Sequence, residues 1–155
     1  MAWAQCDQRH LLFAASARDE DDVRKRALEL GAFVESARQR HGIEAPVAVG
    51  FSNGANIAAA LLLMKPDALA GAVLLRAMVP LSDPPGARLD GKPVLILSGQ
   101  ADPIVPAGNA ARLSALLSDG GANVVHKTLP AGHQLSEADV RLARDWIAGV
   151  DAQVA

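Results

Sequence analysis

No charge of one sign dominates this chain: its 15 basic and 17 acidic residues are interspersed and give a net charge of −2. A surface of that kind has no basic field to hold nucleic acid or anionic lipid, so neither a nucleic-acid nor a membrane partner is expected. The single cysteine, Cys6, cannot close an internal disulfide. Long hydrophobic runs are missing too. The longest largely apolar stretch, Ala55 to Met64, is about half of what spans a bilayer and reads as a core helix. The opening residues carry Asp7, Arg9 and His10 beside a short apolar run, which makes a poor signal peptide. Ala14-Ala15-Ser16-Ala17 is the one hint of a cleavage site, and the expected address is cytoplasmic.

A chain of 155 residues can bury a core covering about two thirds of its unfolded surface and is expected to form one domain over 1–155. Residues 1–18 resist assignment. His10 to Ala15 has the composition of a short strand, but its neighbours follow no period. From Asp19 the pattern is helical: Val23, Ala27, Leu30, Val34 and Ala37 recur on one face, acids open the segment, and Arg38, Arg40 and His41 precede Gly42. That charge order suits a helix dipole, and glycine suits the position after the last turn. Asp19-Glu20-Asp21-Asp22 admits a metal site as an alternative, but four consecutive acids point to different sides of a helix turn, and no metal is expected.

Continuous apolar runs follow at Val47–Phe51, Gly71–Leu75 and Pro93–Ser98, with a mixed run at Asn123–Leu129 suited to a sheet edge. Between them lie helical patterns over Asn53–Met64 and Pro106–Asp119, and a last helix begins after Ser136, which has Asp139 three residues on in the manner of a capping box. Leu142, Trp146 and Ile147 form its apolar stripe. Strand and helix in alternation predict an α/β fold, a three-layer α/β/α sandwich around a mainly parallel sheet. Ligands of such sheets bind beyond the carboxyl ends of the strands, so the residues that follow each strand are the candidates for chemistry.

After the first run the chain reads Gly50-Phe51-Ser52-Asn53-Gly54, the G-x-S-x-G of a nucleophile elbow, and it falls between a strand and a helix where a chance match need not. A turn that sharp strains the serine backbone, and glycine two residues either side is expected to relieve collisions where strand and helix cross. The Ser52 hydroxyl then stands clear of the sheet, with the Asn53 N–H aimed at a developing oxyanion. The third run is followed by Asp102 and the fourth by His133. Taken singly, Asp102 before Pro103 is a turn residue and His133 after Gly132 a loop residue. Taken together with Ser52, they supply the base a serine needs at neutral pH and the carboxylate that orients the base, in the chain order Ser, Asp, His. His41 and His126 read as structural, and His10 has no evident partner. Phe51 beside the serine, and Met78 and Val79 at the start of an apolar loop after the second run, are the candidates for contact with substrate.

The stretches GFSNGANIA, GKPVLILSGQADPIVP and AGHQLSEADVRLARDWI resemble the α/β-hydrolase superfamily, in particular its carboxylesterase/lysophospholipase branch, which is similar to dienelactone hydrolase. The resemblance runs from about Asp19 to Trp146. It implies a cofactor-free serine esterase acting on a small-molecule ester, with Ser52 as nucleophile, Asp102 as acid and His133 as base. Family members begin with further strands and carry a His-Gly-x-Gly loop that donates a second oxyanion N–H. That motif does not occur in this sequence. The resemblance therefore implies a truncated version of the fold, whether a fragment, a mis-started reading frame or a reduced form, whose elbow strand exposes an edge that His10 to Ala15 or a second copy of the chain would cover. Two functions are expected from this: a serine carboxylic-ester hydrolase working through an acyl-enzyme, or a non-catalytic remnant that binds a partner through the open edge.

Overall fold

The strands form where valine, leucine and isoleucine cluster into short runs too brief for a stable helix: β1 (Val47–Phe51), β2 (Gly71–Leu75), β3 (Pro93–Gly99) and β4 (Asn123–Leu129). The structure, a computed structural model, describes residues 17–154. The strand expected within residues 10–15 lies outside them. Four helices separate or flank the strands: α1 (Ala17–His41), α2 (Asn53–Met64), α3 (Ala107–Asp119) and α4 (Glu137–Val154), with a short 3₁₀ turn at Pro66–Ala68. Gly42 takes φ +62° directly after α1, the left-handed conformation that ends a helix and that glycine adopts without steric cost.

The described sheet runs in the order β1-β2-β3-β4, and all three pairings are parallel. Alternation of side chains divides the strands between two cores. Ala72 and Leu74 of β2 with Val94 and Ile96 of β3 face Ala27 of α1, the buried face of α2, and Leu113 and Leu117 of α3. Val73, Leu75, Leu95 and Leu97 face the other way, against Ala143, Leu142, Trp146 and Ile147 of α4. Helices thus cover both faces, and the expected three-layer α/β/α sandwich with a parallel sheet is the fold observed. α2 is the most deeply buried helix, with Ala55 and Ala58 to Leu63 all inside. Residues this apolar on every side have nowhere to go but between the sheet and α1. No helix among the described residues is long and apolar enough to cross a membrane.

β1 and β4 are the outer strands of the described sheet. β4 alternates between half-buried and exposed positions, in keeping with an edge. β1 carries Val49, 57% exposed, on the α4 side of the sheet, where α4 packs on β2 and β3 instead.

Candidate active site

The carboxyl ends of β1, β3 and β4 converge on one edge, and the residues just beyond them meet. At the end of β1 the chain turns into α2 in one residue, Ser52, whose φ of 54° and ψ of −117° are strained for any side chain. The turn is held by the Ser52 N–H donating to Leu75 O at 2.8 Å and the Asn56 N–H donating to Ser52 O at 3.1 Å. Gly50 is obligatory here: a β-carbon would lie 2.7 Å from the backbone of Gly54 and Ala55. The same expectation fails for Gly54. Apart from its chain neighbours and the backbone of its own helix, nothing among the described residues comes within 4 Å of a β-carbon placed there, so the crossing of strand and helix constrains only the first glycine of the motif.

Ser52 occupies the N-cap position of α2 but makes no capping bond. Its hydroxyl instead lies 3.0 Å from Nε2 of His133, and Nδ1 of His133 lies 2.9 Å from Oδ2 of Asp102. An ionised carboxylate only accepts, so Nδ1 carries the proton and donates it to Asp102, leaving Nε2 with a lone pair for the serine O–H. The Asp102 side chain is 1% exposed and that of His133 15%. Burial pushes the Asp102 carboxyl up, but N–H donation from Val105, His133 and Ile104 outweighs it and holds the carboxyl below its ordinary value. Asp102 makes the turn expected of it, and the same carboxylate also meets the imidazole. Oδ1 accepts from the Ile104 and Val105 N–H groups at 2.8 and 2.9 Å, which fixes the carboxylate while Oδ2 serves the imidazole.

The remaining expected residues fall around this line. The Phe51 ring lies 5.3 Å from the His133 ring, centroid to centroid, tilted by 43°. Asn53 is exposed and opens α2, so its backbone N–H belongs to the free, partly positive end of the helix beside the serine. Met78 and Val79 are half-buried, and their backbone N–H groups are held by the side-chain oxygens of Asn56 of α2 at 2.9 Å and Asn109 of α3 at 2.7 Å. Further along the same loop, Leu81 turns into the core. His126 accounts for itself structurally: its Nε2 is 2.8 Å from Ser98 Oγ inside the sheet, and burial pushes the ring's pKa down. Among the described residues no group of three or more histidine, cysteine, aspartate or glutamate side chains is placed to hold a metal ion.

Sequence reasoning passed over Arg76, the first residue beyond β2. Its side chain is wholly buried and makes a bidentate pair with Asp139, at 2.8 and 2.9 Å. The signal was available, because a charged residue directly after a continuous apolar strand stands at the same sheet edge as Ser52, Asp102 and His133.

A parallel sheet with helices on both faces is the architecture of the α/β-hydrolase fold, and the strained serine, the histidine and the aspartate stand together beyond its strand ends. The chain matches the phospholipase/carboxylesterase family over residues 1–150, and it belongs to that family. It is 38% identical over 130 residues to the putative hydrolase MhqD of Bacillus subtilis (strain 168), a match that covers 83% of this chain and 65% of the relative. Among solved structures it is similar to the carboxylesterase of Bacillus cereus, with 41% identity and a TM-score of 0.78 over 83% of this chain and 61% of the other. It is also similar to a carboxylesterase from Mesorhizobium loti, with 33% identity and a TM-score of 0.79 over 84% and 63% of the two chains. The chain thus spans less than two thirds of the length of these relatives.

Proposed function

We propose that the protein is a serine carboxylic-ester hydrolase acting on small-molecule esters, in which Ser52 is the nucleophile, His133 the general base and acid, and Asp102 the carboxylate that holds the imidazole. The observation that carries this reading is the unbroken hydrogen-bonded line from Ser52 Oγ through the His133 ring to Asp102, with separations of 3.0 and 2.9 Å. His133 takes the Ser52 proton at Nε2 as Oγ attacks the acyl carbon, and the imidazolium is stabilised by Asp102. Negative charge gathers on the carbonyl oxygen, where the Asn53 N–H and the N-terminus of α2 face it. Collapse of this intermediate expels the alcohol, which takes the proton from Nε2, and leaves an acyl group on Ser52. Water, deprotonated by the same nitrogen, then attacks the acyl carbon, and the acid leaves as Nε2 returns the proton to Ser52 Oγ. The chemistry calls for no cofactor. Met78 and Val79, gripped through their amides by Asn56 and Asn109, and Phe51 against the imidazole are the residues assigned to substrate contact.

Hydrolysis of an activated short-chain ester by the protein and by Ser52→Ala tests the reading. Loss of turnover in the variant supports it, and turnover equal to that of the parent sinks it.

A second reading rests on β1. Its outer edge has no strand partner among the described residues, and Val49 and Phe51 leave apolar surface beside it. An edge of that kind pairs readily with another strand, so association of two copies through β1 is proposed as well. Light scattering reads it: a dimer supports the pairing, and a monodisperse monomer contradicts it. A folded protein whose Ser52 is unreactive, yet which self-associates, would favour a binding role over catalysis.

A further inference from the structure

We infer that Arg76 is a positioning residue for His133: its guanidinium, locked by Asp139, holds the peptides on either side of the histidine and so sets the ring between Ser52 and Asp102. The inference rests on the catalytic reading of those three residues.

The Arg76 side chain is fully buried, an unusual place for a guanidinium. All five of its N–H donors are used. Nε donates to Gly132 O at 2.8 Å, one Nη2 hydrogen to Gln134 O at 3.3 Å and one Nη1 hydrogen to Leu97 O at 3.2 Å. The other two go to the Asp139 carboxylate. Gly132 and Gln134 flank His133, so one rigid fork grips the loop immediately before and immediately after the base. Asp139 is anchored in turn. Its Oδ2 accepts from the Ser136 N–H at 2.8 Å and from Ser136 Oγ at 2.7 Å at the start of α4. Burial pushes this carboxyl up, but donation from Arg76 and Ser136 outweighs it and keeps the group ionised.

The rest of the loop is held from the other side. Gln100 N–H donates to Leu129 O at 2.8 Å and Ala101 N–H to Ala131 O at 3.0 Å, both upstream of the histidine. From Gly132 to Gln134 the loop has no regular structure, and Arg76 supplies the fixed points there. Arg76 itself is pinned at its backbone, where it takes φ +55° and its N–H donates to Leu97 O at 2.9 Å. A non-glycine residue held in the left-handed region is a strained one, and the strain aims the side chain across the ends of the strands toward α4. A buried ion pair is seldom retained for stability alone, since apolar residues of similar volume do as well. A fork that fixes two carbonyls around a catalytic imidazole is a use that apolar residues cannot fill.

The test uses two variants, because removing Arg76 alone would strand the buried Asp139. Arg76→Met with Asp139→Leu removes the pair without changing net charge and keeps the volume filled. Arg76→Lys keeps a charge for Asp139 but lacks the planar fork that reaches both carbonyls. Both are expected to fold, to bind ester with KM within about two-fold of the parent, and to lose about 10- to 100-fold in kcat, as displacement of a reacting group by an ångström does. The downfield proton resonance of His133 Nδ1–H, sharp in the parent, should broaden or vanish. A merely structural role for the pair would lower stability and leave the kcat to KM split and that resonance alone. A folded Arg76→Lys or double variant with parental kcat and an intact resonance overturns the inference. Ser52→Ala, run alongside, separates the two levels. If it hydrolyses ester as the parent does, the catalytic reading falls and the inference falls with it. If it is inactive while the Arg76 variants match the parent, only the role of Arg76 is lost.

Discussion

Gly99 at the end of β3 and Gly132 beside His133 lie so close that a β-carbon on Gly99 would come within 2.5 Å of the Gly132 carbonyl oxygen and 2.6 Å of that of Ala131. The strand end that leads to Asp102 and the loop that carries His133 therefore touch backbone to backbone, and the same Gly132 oxygen accepts from Arg76 on its other side. Gly99→Ala is expected to push the histidine loop outward. Overpacking of this kind costs about 1–3 kcal/mol in stability, and displacing the base by an ångström lowers kcat by about 100-fold. Thermal melts and ester turnover on one preparation read both effects, and an activity loss no larger than the melting shift implies would contradict the account.

The two glycines of the elbow should respond in opposite ways. Gly50→Ala forces its new methyl to 2.7 Å from the backbone of Ala55 and is expected to prevent native folding or to remove activity with it. Gly54→Ala meets open space among the described residues and gains helix propensity near the start of α2, worth up to about 1 kcal/mol. The melting temperature of Gly54→Ala should equal or exceed that of the parent. A collapse of the Gly54 variant would restore the view that both glycines are steric requirements.

Asp102→Asn should leave the turn intact, since the amide oxygen can still accept from Ile104 and Val105. Its NH₂ then faces Nδ1 as a donor and favours the tautomer with the proton on Nε2, which cannot take the serine proton. A loss of about 10⁴-fold in kcat is expected, with little change in melting temperature. Steady-state kinetics decides, and a variant within ten-fold of the parent would show that Asp102 does not orient the base.

Stability should fall on acidification in two steps whose signs follow from the shifts. Burial lowers the pKa of His126, so below the ordinary imidazole range the unfolded chain binds a proton that the folded one resists, and stability declines as pH drops through that window. Asp102 and Asp139 are also depressed. Their contribution is complete above the ordinary carboxylate range and is lost as pH falls through their folded values. Melting temperature against pH, in the parent and in Arg76→Met with Asp139→Leu, checks this: the double variant should lose part of the steep acid limb. An unchanged limb would mean that the buried pair does not govern acid stability.

Most of the fold was legible in the sequence because the inner strands are continuous apolar runs and α1, α3 and α4 carry apolar residues at helical spacing. Val47–Phe51 and Gly71–Leu75 fall where the runs place them, and the third strand extends only one residue further, to Gly99. Ser52, Asp102 and His133 were legible through a shared rule about strand ends. The rule also applied to Arg76, but a lone arginine carries no motif, and its meaning depends on Asp139, 63 residues away, whose spacing from Ser136 already had a sufficient local explanation as a cap. The helix start does use Asp139 in that way, through the Ser136 N–H, and the second use of the same carboxylate is visible only in three dimensions. Gly54 misled in the other direction, because a pattern names positions without saying which of them the packing needs.

The central claim is that Ser52 is a nucleophile activated by His133, and covalent labelling reads it most directly. The folded protein should be treated with a fluorophosphonate and its peptides analysed by mass spectrometry, alongside Ser52→Ala and His133→Ala. The account expects one stoichiometric adduct on Ser52, none in Ser52→Ala, and labelling slowed by orders of magnitude in His133→Ala. An unlabelled Ser52 in the folded parent, or label spread equally over exposed serines such as Ser82, would contradict it.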